Sequence, residues 1–389
     1  MLPIATRFRS AACQHEFPMK FVFLTHSLVS DWNHGNAHFQ RGLIRALIAR
    51  GHAAVAAEPA DGWSRMNLLA EAGTGALAAF HRAFPELVSV TYEGTGDIDA
   101  IVEDADVVVV HEWTDAAIVA HLGRRRAGGA RWRLLFHDTH HRAVSAPEEL
   151  ARFELDGYDG VLAFGAVLAE VYRARGWADQ VHVWHEAADT ELFRPLPEVA
   201  READLVWIGN WGDGERTAEL EEFLIGPARD LRLAGTIHGV RYPPEAEAAV
   251  RDAGLRFAGR IANADAPAVF ARHRVTVHVP RRPYAEALPG IPTIRMFETL
   301  ACAIPLVSAP WEDREGLFRP GQDYLVARNG AEMREALRSI LADPSFAAGI
   351  VASGRARILE RHTCGHRADE LLALLGADVR RTAVGASQS

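Results

Sequence analysis

Short runs of apolar residues, each closed by a polar or glycine-containing loop, punctuate the chain from Phe21 onward. Phe21-Val22-Phe23-Leu24 opens the pattern, and a helix-period set, Leu43, Ile44, Leu47 and Ile48, stops at Gly51, where a left-handed helix C-cap belongs. Ala53–Ala57, Val107–Val110, Leu134–Phe136 and Val161–Phe164 continue the series as strands. A continuous apolar run marks a strand buried on both faces. Such strands, separated by helices, predict a parallel sheet covered on both sides.

The pattern starts again at Leu205-Val206-Trp207-Ile208. Thr236–Val240, Arg256–Ala258, Val275–Val279 and Pro305–Ser308 read as strands, with helices such as Ala246–Ala253 and Ile294–Ala303 between them. The joint falls near Asp189–Ala200, where Phe193-Arg194-Pro195-Leu196-Pro197 fits neither period. The expected fold class is α/β, with two tandem Rossmann-like, doubly wound domains facing a cleft, over residues 19–190 and 201–362. A closing helix is expected at 363–376, and disorder at 1–18 and 377–389. In such sheets ligands bind beyond the carboxyl ends of the strands, so function should sit in the loops after each apolar run.

Composition narrows the classes. At 389 residues the chain exceeds one ordinary core. A net charge of −9 argues against a nucleic-acid partner. Lys20 is the only lysine, so a phosphate clamp elsewhere must use arginine, histidine or main-chain N–H groups. Cys13, Cys302 and Cys364 lie far apart with no CxxC pair, which points away from a cysteine zinc site and toward a reducing cytoplasm. No apolar run approaches the roughly 18 residues of a membrane helix.

Five loops carry candidate chemistry. His34-Gly35-Asn36-Ala37-His38 follows the first strand, and Gly35 and Asn36 at the following helix N-terminus suit polar oxygens of a ligand as well as a plain tight turn. His111-Glu112-Trp113 follows Val107–Val110, and His137-Asp138-Thr139-His140-His141 follows Leu134–Phe136. Adjacent His140 and His141 diverge in an extended segment and no HExxH spacing occurs, so no metal is expected. His137 and Asp138 can act as base or hydrogen-bond donor toward a hydroxyl, or Asp138 can simply cap the next helix. Gly209-Asn210-Trp211-Gly212-Asp213-Gly214-Glu215-Arg216 offers main-chain N–H groups and one guanidinium to a diphosphate. Its spacing is neither the nicotinamide fingerprint nor a Walker A loop. Finally, Pro289-Gly290-Ile291-Pro292 leads into a helix with Thr293 as N-cap, followed by Ile294, Arg295 and Glu298. The free N–H groups of its first turn form an anion site. Glu298 can accept hydrogen bonds from two ribose hydroxyls, and Arg281 and Arg282 can neutralise the same diphosphate. Arg295 and Glu298 equally fit a solvated i,i+3 pair.

Together these segments resemble GT-B glycosyltransferases. Asp189-Thr190-Glu191-Leu192-Phe193-Arg194-Pro195 is similar to their interdomain linker, and Phe297-Glu298-Thr299-Leu300-Ala301-Cys302-Ala303-Ile304-Pro305-Leu306-Val307 to their donor-binding helix and following strand. His362-Thr363 and the final helix resemble CgeB-type, spore-maturation-protein-like members. The resemblance implies a nucleotide-sugar donor, transfer to an acceptor hydroxyl, no obligatory metal and no other cofactor. It implies Glu298 on the ribose, His111 near the donor sugar, and Gly209, Asn210, Trp211 and Arg216 on the phosphate side with Arg282, Thr293, Ile294 and Arg295. Two departures stand out: Gly290 occupies the position eight before Glu298 where many retaining members carry a second glutamate, and the clamp lysine is missing. Stereochemistry is thereby left open, and an inverting reaction would draw its base from Asp138 or His137. A sugar-nucleotide 2-epimerase and a non-catalytic nucleotide-sugar or carbohydrate-binding protein are the alternatives on the same scaffold, and a nicotinamide dehydrogenase is disfavoured by the missing GxGxxG.

Overall fold

The computed structural model describes residues 18–212 and 214–386, with side chains described up to residue 376. The segment 1–17 and the last three residues, on which part of the expected disorder falls, lie outside the described residues.

Among the described residues, thirteen strands form two parallel sheets. The first sheet contains β1 (Lys20–Leu24), β2 (Ala53–Pro59), β3 (Val88–Tyr92), β4 (Val107–His111), β5 (Arg133–Asp138), β6 (Gly160–Ala163) and β7 (Val181–Val183), in the order β3-β2-β1-β4-β5-β6-β7. The second contains β8 (Ala203–Ile208), β9 (Gly235–His238), β10 (Leu255–Phe257), β11 (His273–His278), β12 (Leu306–Ser308) and β13 (Leu325–Val326), in the order β10-β9-β8-β11-β12-β13. In both sheets the first strand in sequence lies between its second and fourth, and this reversal of strand order opens a crevice at the carboxyl ends.

Period-two alternation explains why apolar runs were needed. Val22, Leu24, Val108 and Val110 enter one core layer, while Phe21, Phe23, Val107 and Val109 enter the layer on the opposite face. Leu205 and Trp207 divide from Val206 and Ile208 in the same way around the second sheet. The strands that the apolar pattern does not reveal, β3, β7 and β13, all lie at sheet edges. There a side chain such as Val88 or Val183 remains exposed, so the run loses its continuity.

Two segments cross between the halves. The closing helix, Cys364–Ala386, is longer than the sequence suggests and returns to the first domain. There Ala368, Leu371, Leu372 and Leu375 pack with Leu43, Ile44 and Leu47 of the first helix, Asn36–Ile48. In the other direction, Leu288 and Ile291 leave the second domain and join the core of the first. Asp189 follows its β-bridged neighbour Ala188, and its main-chain N–H donates to His38 Nε2 at 2.9 Å, so the joint is packed rather than loose.

Candidate functional site

The crevices of the two sheets face each other, and direct polar contacts span the gap. Asn210 donates to Asn33 at 2.6 Å, Arg260 lies 3.3 Å from Asp31, and His185 lies 2.9 Å from Glu315. Main-chain approach is equally close. A Cβ built on Gly35 would land 2.5 Å from Ile294 Cγ2, so a larger residue at the start of the first helix would wedge against the start of the Ile294–Ala301 helix. That helix therefore begins at the interdomain gap.

Glu298, in its second turn, is buried and held from both halves. Asn263 donates to Oε1 at 3.0 Å, Arg295 pairs with Oε2, and His38 Nδ1 from the first domain lies 3.3 Å from Oε1. Because His38 Nε2 accepts from the Asp189 main chain, its proton sits on Nδ1, the nitrogen nearer the carboxylate. Burial pushes the Glu298 carboxyl up, but Arg295, His38 and Asn263 more than reverse this and hold it below its ordinary range. Thr293 terminates the helix with extended backbone, yet its hydroxyl does not cap it. The hydroxyl instead sits 3.0 Å from His278 Nε2, at the end of β11, which corrects the sequence expectation and leaves the first-turn N–H groups without a side-chain acceptor. Ile294 packs between the halves.

The glycine loop after β8 is organised by arginines. Arg216 is half-buried, with its Nε out of contact with solvent. It donates to the Asn210 carbonyl at 2.9 Å, to Asn210 Oδ1 at 2.6 Å and to the Val279 carbonyl at 3.1 Å, and it stacks over Trp207. No carboxylate ion-pairs with it among the described residues. Burial, with Arg281 and Arg295 nearby, lowers it to about 9. Arg281 reaches the same Asn210 Oδ1 at 3.1 Å and also pairs with Glu215. Arg282 is turned outward, exposed and bonded to the Gly214 carbonyl, so the structure moves it out of the cluster that the sequence assigned to it. The Gly209 carbonyl accepts from Tyr242 at 2.9 Å, and Trp211 stacks near the same ring at the rim of a 570 Å³ cavity. A larger cavity of 740 Å³ includes Ala203, Gly235, Leu255 and His273, which begin β8, β9, β10 and β11, so it opens at the opposite end of the sheet.

On the first-domain side, Asn36 bridges two strand ends. Its amide donates to Thr139 Oγ1 at 2.7 Å and meets His111 Nε2, itself 3.1 Å from Thr139. Burial and nearby Arg142 hold His111 down to about 3, so it is neutral. Its neighbour Glu112 is raised by burial to about 8. His137 meets this network only through ring contact with His111, 5.7 Å between centroids, and Asp138 does not join it. Along β5, His137 turns into one core layer, 4.9 Å from the Trp184 ring. Asp138 turns into the other, accepting from Tyr172 at 2.7 Å and from the His140 main chain at 3.0 Å. Both Asp138 oxygens are occupied and the group is fully buried, so strand alternation corrects the expectation that either residue serves as base. Glu286, near the missing second glutamate, is exposed on the outer surface.

The sequence reading missed His38, Asp31, Asn263, His278 and Glu186. Glu186, just past β7, is buried and has no hydrogen-bond or ion-pair partner among the described residues. Burial, then Glu298 and Glu112, raise it to about 8.

These groups set a stability profile. Glu112 and Glu186 keep protons that the unfolded chain loses above about pH 4.5, so their contribution is complete below that pH and is lost as pH rises through about 8. His26, His111 and His278 are held down to about 4, 3 and 3 by burial, so theirs is complete above about 6.5 and is lost as pH falls. The melting temperature should peak between about pH 5 and 7. A curve that still rises from pH 7 to 9 in a fluorimetric scan would contradict the protonated carboxyls.

Comparison with known proteins agrees with this architecture. Residues 216–373 match a family described as glycosyl transferase-like. HepE from Anabaena, in complex with UDP-glucose, is 15% identical with a TM-score of 0.65, over 92% of this chain and 100% of that one. A sucrose-phosphate synthase from Thermosynechococcus elongatus is 16% identical with a TM-score of 0.61, over 95% and 100%. An alpha-glucosyltransferase in complex with UDP and a 13-mer DNA is 11% identical with a TM-score of 0.66, over 92% and 100%. No curated protein sequence matches the chain. The fold is therefore GT-B, and residues 216–373 are similar to the glycosyl transferase-like family. Among the described residues, no helix is long and apolar enough to cross a membrane.

Proposed function

We propose that this protein transfers a sugar from a nucleoside diphosphate donor, with UDP-sugars the first candidates, to an acceptor hydroxyl. The observation that carries this reading is the half-buried cluster of Arg216, Arg281 and Arg295 beside the start of the Ile294–Ala301 helix. Arg281 and Arg295 lie near enough to Arg216 to depress its charge, and Arg216 has no carboxylate partner among the described residues, so an anion placed between them would stabilise the site. A diphosphate does so, its oxygens meeting Arg295, Arg281 and the free N–H groups of the first turn. Arg216 supports the site from behind by fixing the Asn210 and Val279 loops. Glu298 receives the ribose hydroxyls. Trp211 and Tyr242, at the rim of the neighbouring cavity, offer ring surface to the base.

Chemically, breaking the bond between the anomeric carbon and the diphosphate leaves charge on the phosphate. A fixed set of guanidiniums and helix N–H groups in a closed, water-poor gap stabilises that charge without reorganising. Asn36 and His111, joined to Thr139, present neutral polar atoms to the sugar from the facing domain. The HepE complex with UDP-glucose and the alpha-glucosyltransferase complex with UDP support the donor class.

The test is a thermal-shift screen with UDP-glucose, UDP-galactose, UDP-N-acetylglucosamine and UDP-glucuronate, followed by an assay for UDP release. At least one should raise the melting temperature, since a ligand at 100 times its Kd adds about 2.7 kcal/mol, and the same one should release UDP. A flat response to all nucleotide sugars and to UDP would overturn the proposal, and an epimerised donor without UDP release would convert it to an epimerase.

A further inference from the structure

Glu186, like Glu112, is a buried carboxyl near Glu298 that the donor site does not use, but unlike Glu112, which meets Thr139 and His111, it has no hydrogen-bond partner among the described residues. It follows Val181–Val183 and precedes Ala187 and Ala188, both fully buried, so its main chain is fixed by packing. Every charged or titratable group facing it is acidic or neutral at pH 7: Glu298 from the Ile294–Ala301 helix, Glu112 from the end of β4, Tyr284 from the segment that enters the first domain, and Cys364 from the closing helix. Its neighbour His185 pairs with Glu315 across the gap and pins the segment at the interdomain boundary. A buried carboxyl without a hydrogen-bond partner is costly, and a protein that keeps one in a ligand cleft has a ligand group for it to meet.

Resting on the donor assignment above, we propose that Glu186 takes the proton from the hydroxyl, or the water, that attacks the donor sugar. The two earlier candidates cannot do so, because Asp138 is held by Tyr172 and His137 lies in the core. The step balances. The acceptor O–H proton passes to the Glu186 carboxylate, the acceptor oxygen bonds to the anomeric carbon, and the bond to the diphosphate breaks with its electron pair on the phosphate oxygen beside the arginine cluster. Burial first, then the charges of Glu298 and Glu112, make Glu186 a stronger base than an ordinary carboxylate, raised to about 8.

The experiment uses the full chain with the UDP-sugar that gives the largest thermal shift, follows UDP release in water from pH 6 to 9.5, and compares Glu186→Gln with wild type. The substitution is isosteric and replaces a group that is mostly protonated at neutral pH, so melting temperature and UDP affinity should stay at wild-type values. Turnover should fall at least 100-fold, and the wild-type rise in rate between about pH 7 and 8.5 should disappear. Glu186→Asp, which keeps a carboxylate one methylene shorter, should restore the pH-dependent limb at a reduced rate. Wild-type turnover in Glu186→Gln, or a slow variant that keeps the full pH limb, overturns the assignment of Glu186 and leaves the donor site intact. Absence of UDP binding or release in wild type removes the transferase reading itself.

Discussion

Glu298→Gln should weaken UDP binding by about 100-fold while leaving pyrophosphate binding unchanged or slightly stronger. The reasoning starts from charge. Hydrogen bonds to an ionised group contribute about 1.5–3 kcal/mol each, and two ribose hydroxyls on one carboxylate therefore account for two decades or more in affinity. Gln has the same shape but only one acceptor oxygen, and its amide faces Arg295, which must turn away. The guanidinium released in this way remains beside the helix start, where it adds to attraction for the phosphates. Pyrophosphate carries no ribose and sees only that gain. Glu298→Ala is less informative, because removing one partner from a buried set with Arg295, Asn263 and His38 costs folding stability of about 3–5 kcal/mol as well. Titration calorimetry with the two ligands on the Gln variant checks the split. Equal losses for UDP and pyrophosphate would mean that Glu298 shapes the phosphate site rather than holding the ribose.

Much of this site was legible because parallel sheets place ligands by rule. His111 and Gly209 sit directly at the ends of apolar runs and Gly35, Asn36, Arg216 and Glu298 in the connections that follow such runs, and the structure gathers them at the facing carboxyl ends of the two sheets. What the sequence could not give follows from two physical limits. One is side-chain direction. His137 and Asp138 sit at the right strand end, but adjacent residues on a strand point to opposite faces, and the last residues of β5 still lie inside both cores. The other is the edge strand. Glu186 follows β7, whose partly exposed Val-His-Val run carries no apolar signature, so the loop after it was not recognised as a strand end. His38 and Asn263 escaped for a related reason, since each owes its place to a contact across the gap, His38 to Glu298 and Asn263 to Asp31, rather than to a local motif. Arg281 and Arg282 both read as neutralising the diphosphate, and only the backbone direction after β11 separates the inward guanidinium from the outward one.

Arg216 carries the second large effect, and the structure changes its expected sign on folding. The sequence reading gives it a phosphate to bind, so that its loss would cost turnover more than stability. In the fold its guanidinium instead ties the Asn210 carbonyl and side chain to the Val279 carbonyl, joining the loops after β8 and β11. Truncation to Ala strands these buried acceptors at about 1–3 kcal/mol each, so a loss near 3 kcal/mol and a melting temperature lower by about 6–12 °C are expected. Arg216→Lys separates geometry from charge. A single ammonium keeps the cation but cannot span three acceptors in two loops, so turnover should fall about 100-fold although net charge is unchanged. Arg216→Met keeps the volume over Trp207 and removes the charge, and it should melt no lower than the Ala variant while remaining as inactive. A Lys variant with wild-type UDP release would show that charge alone is required, and the loops on either side of the diphosphate would then need no clamp between them.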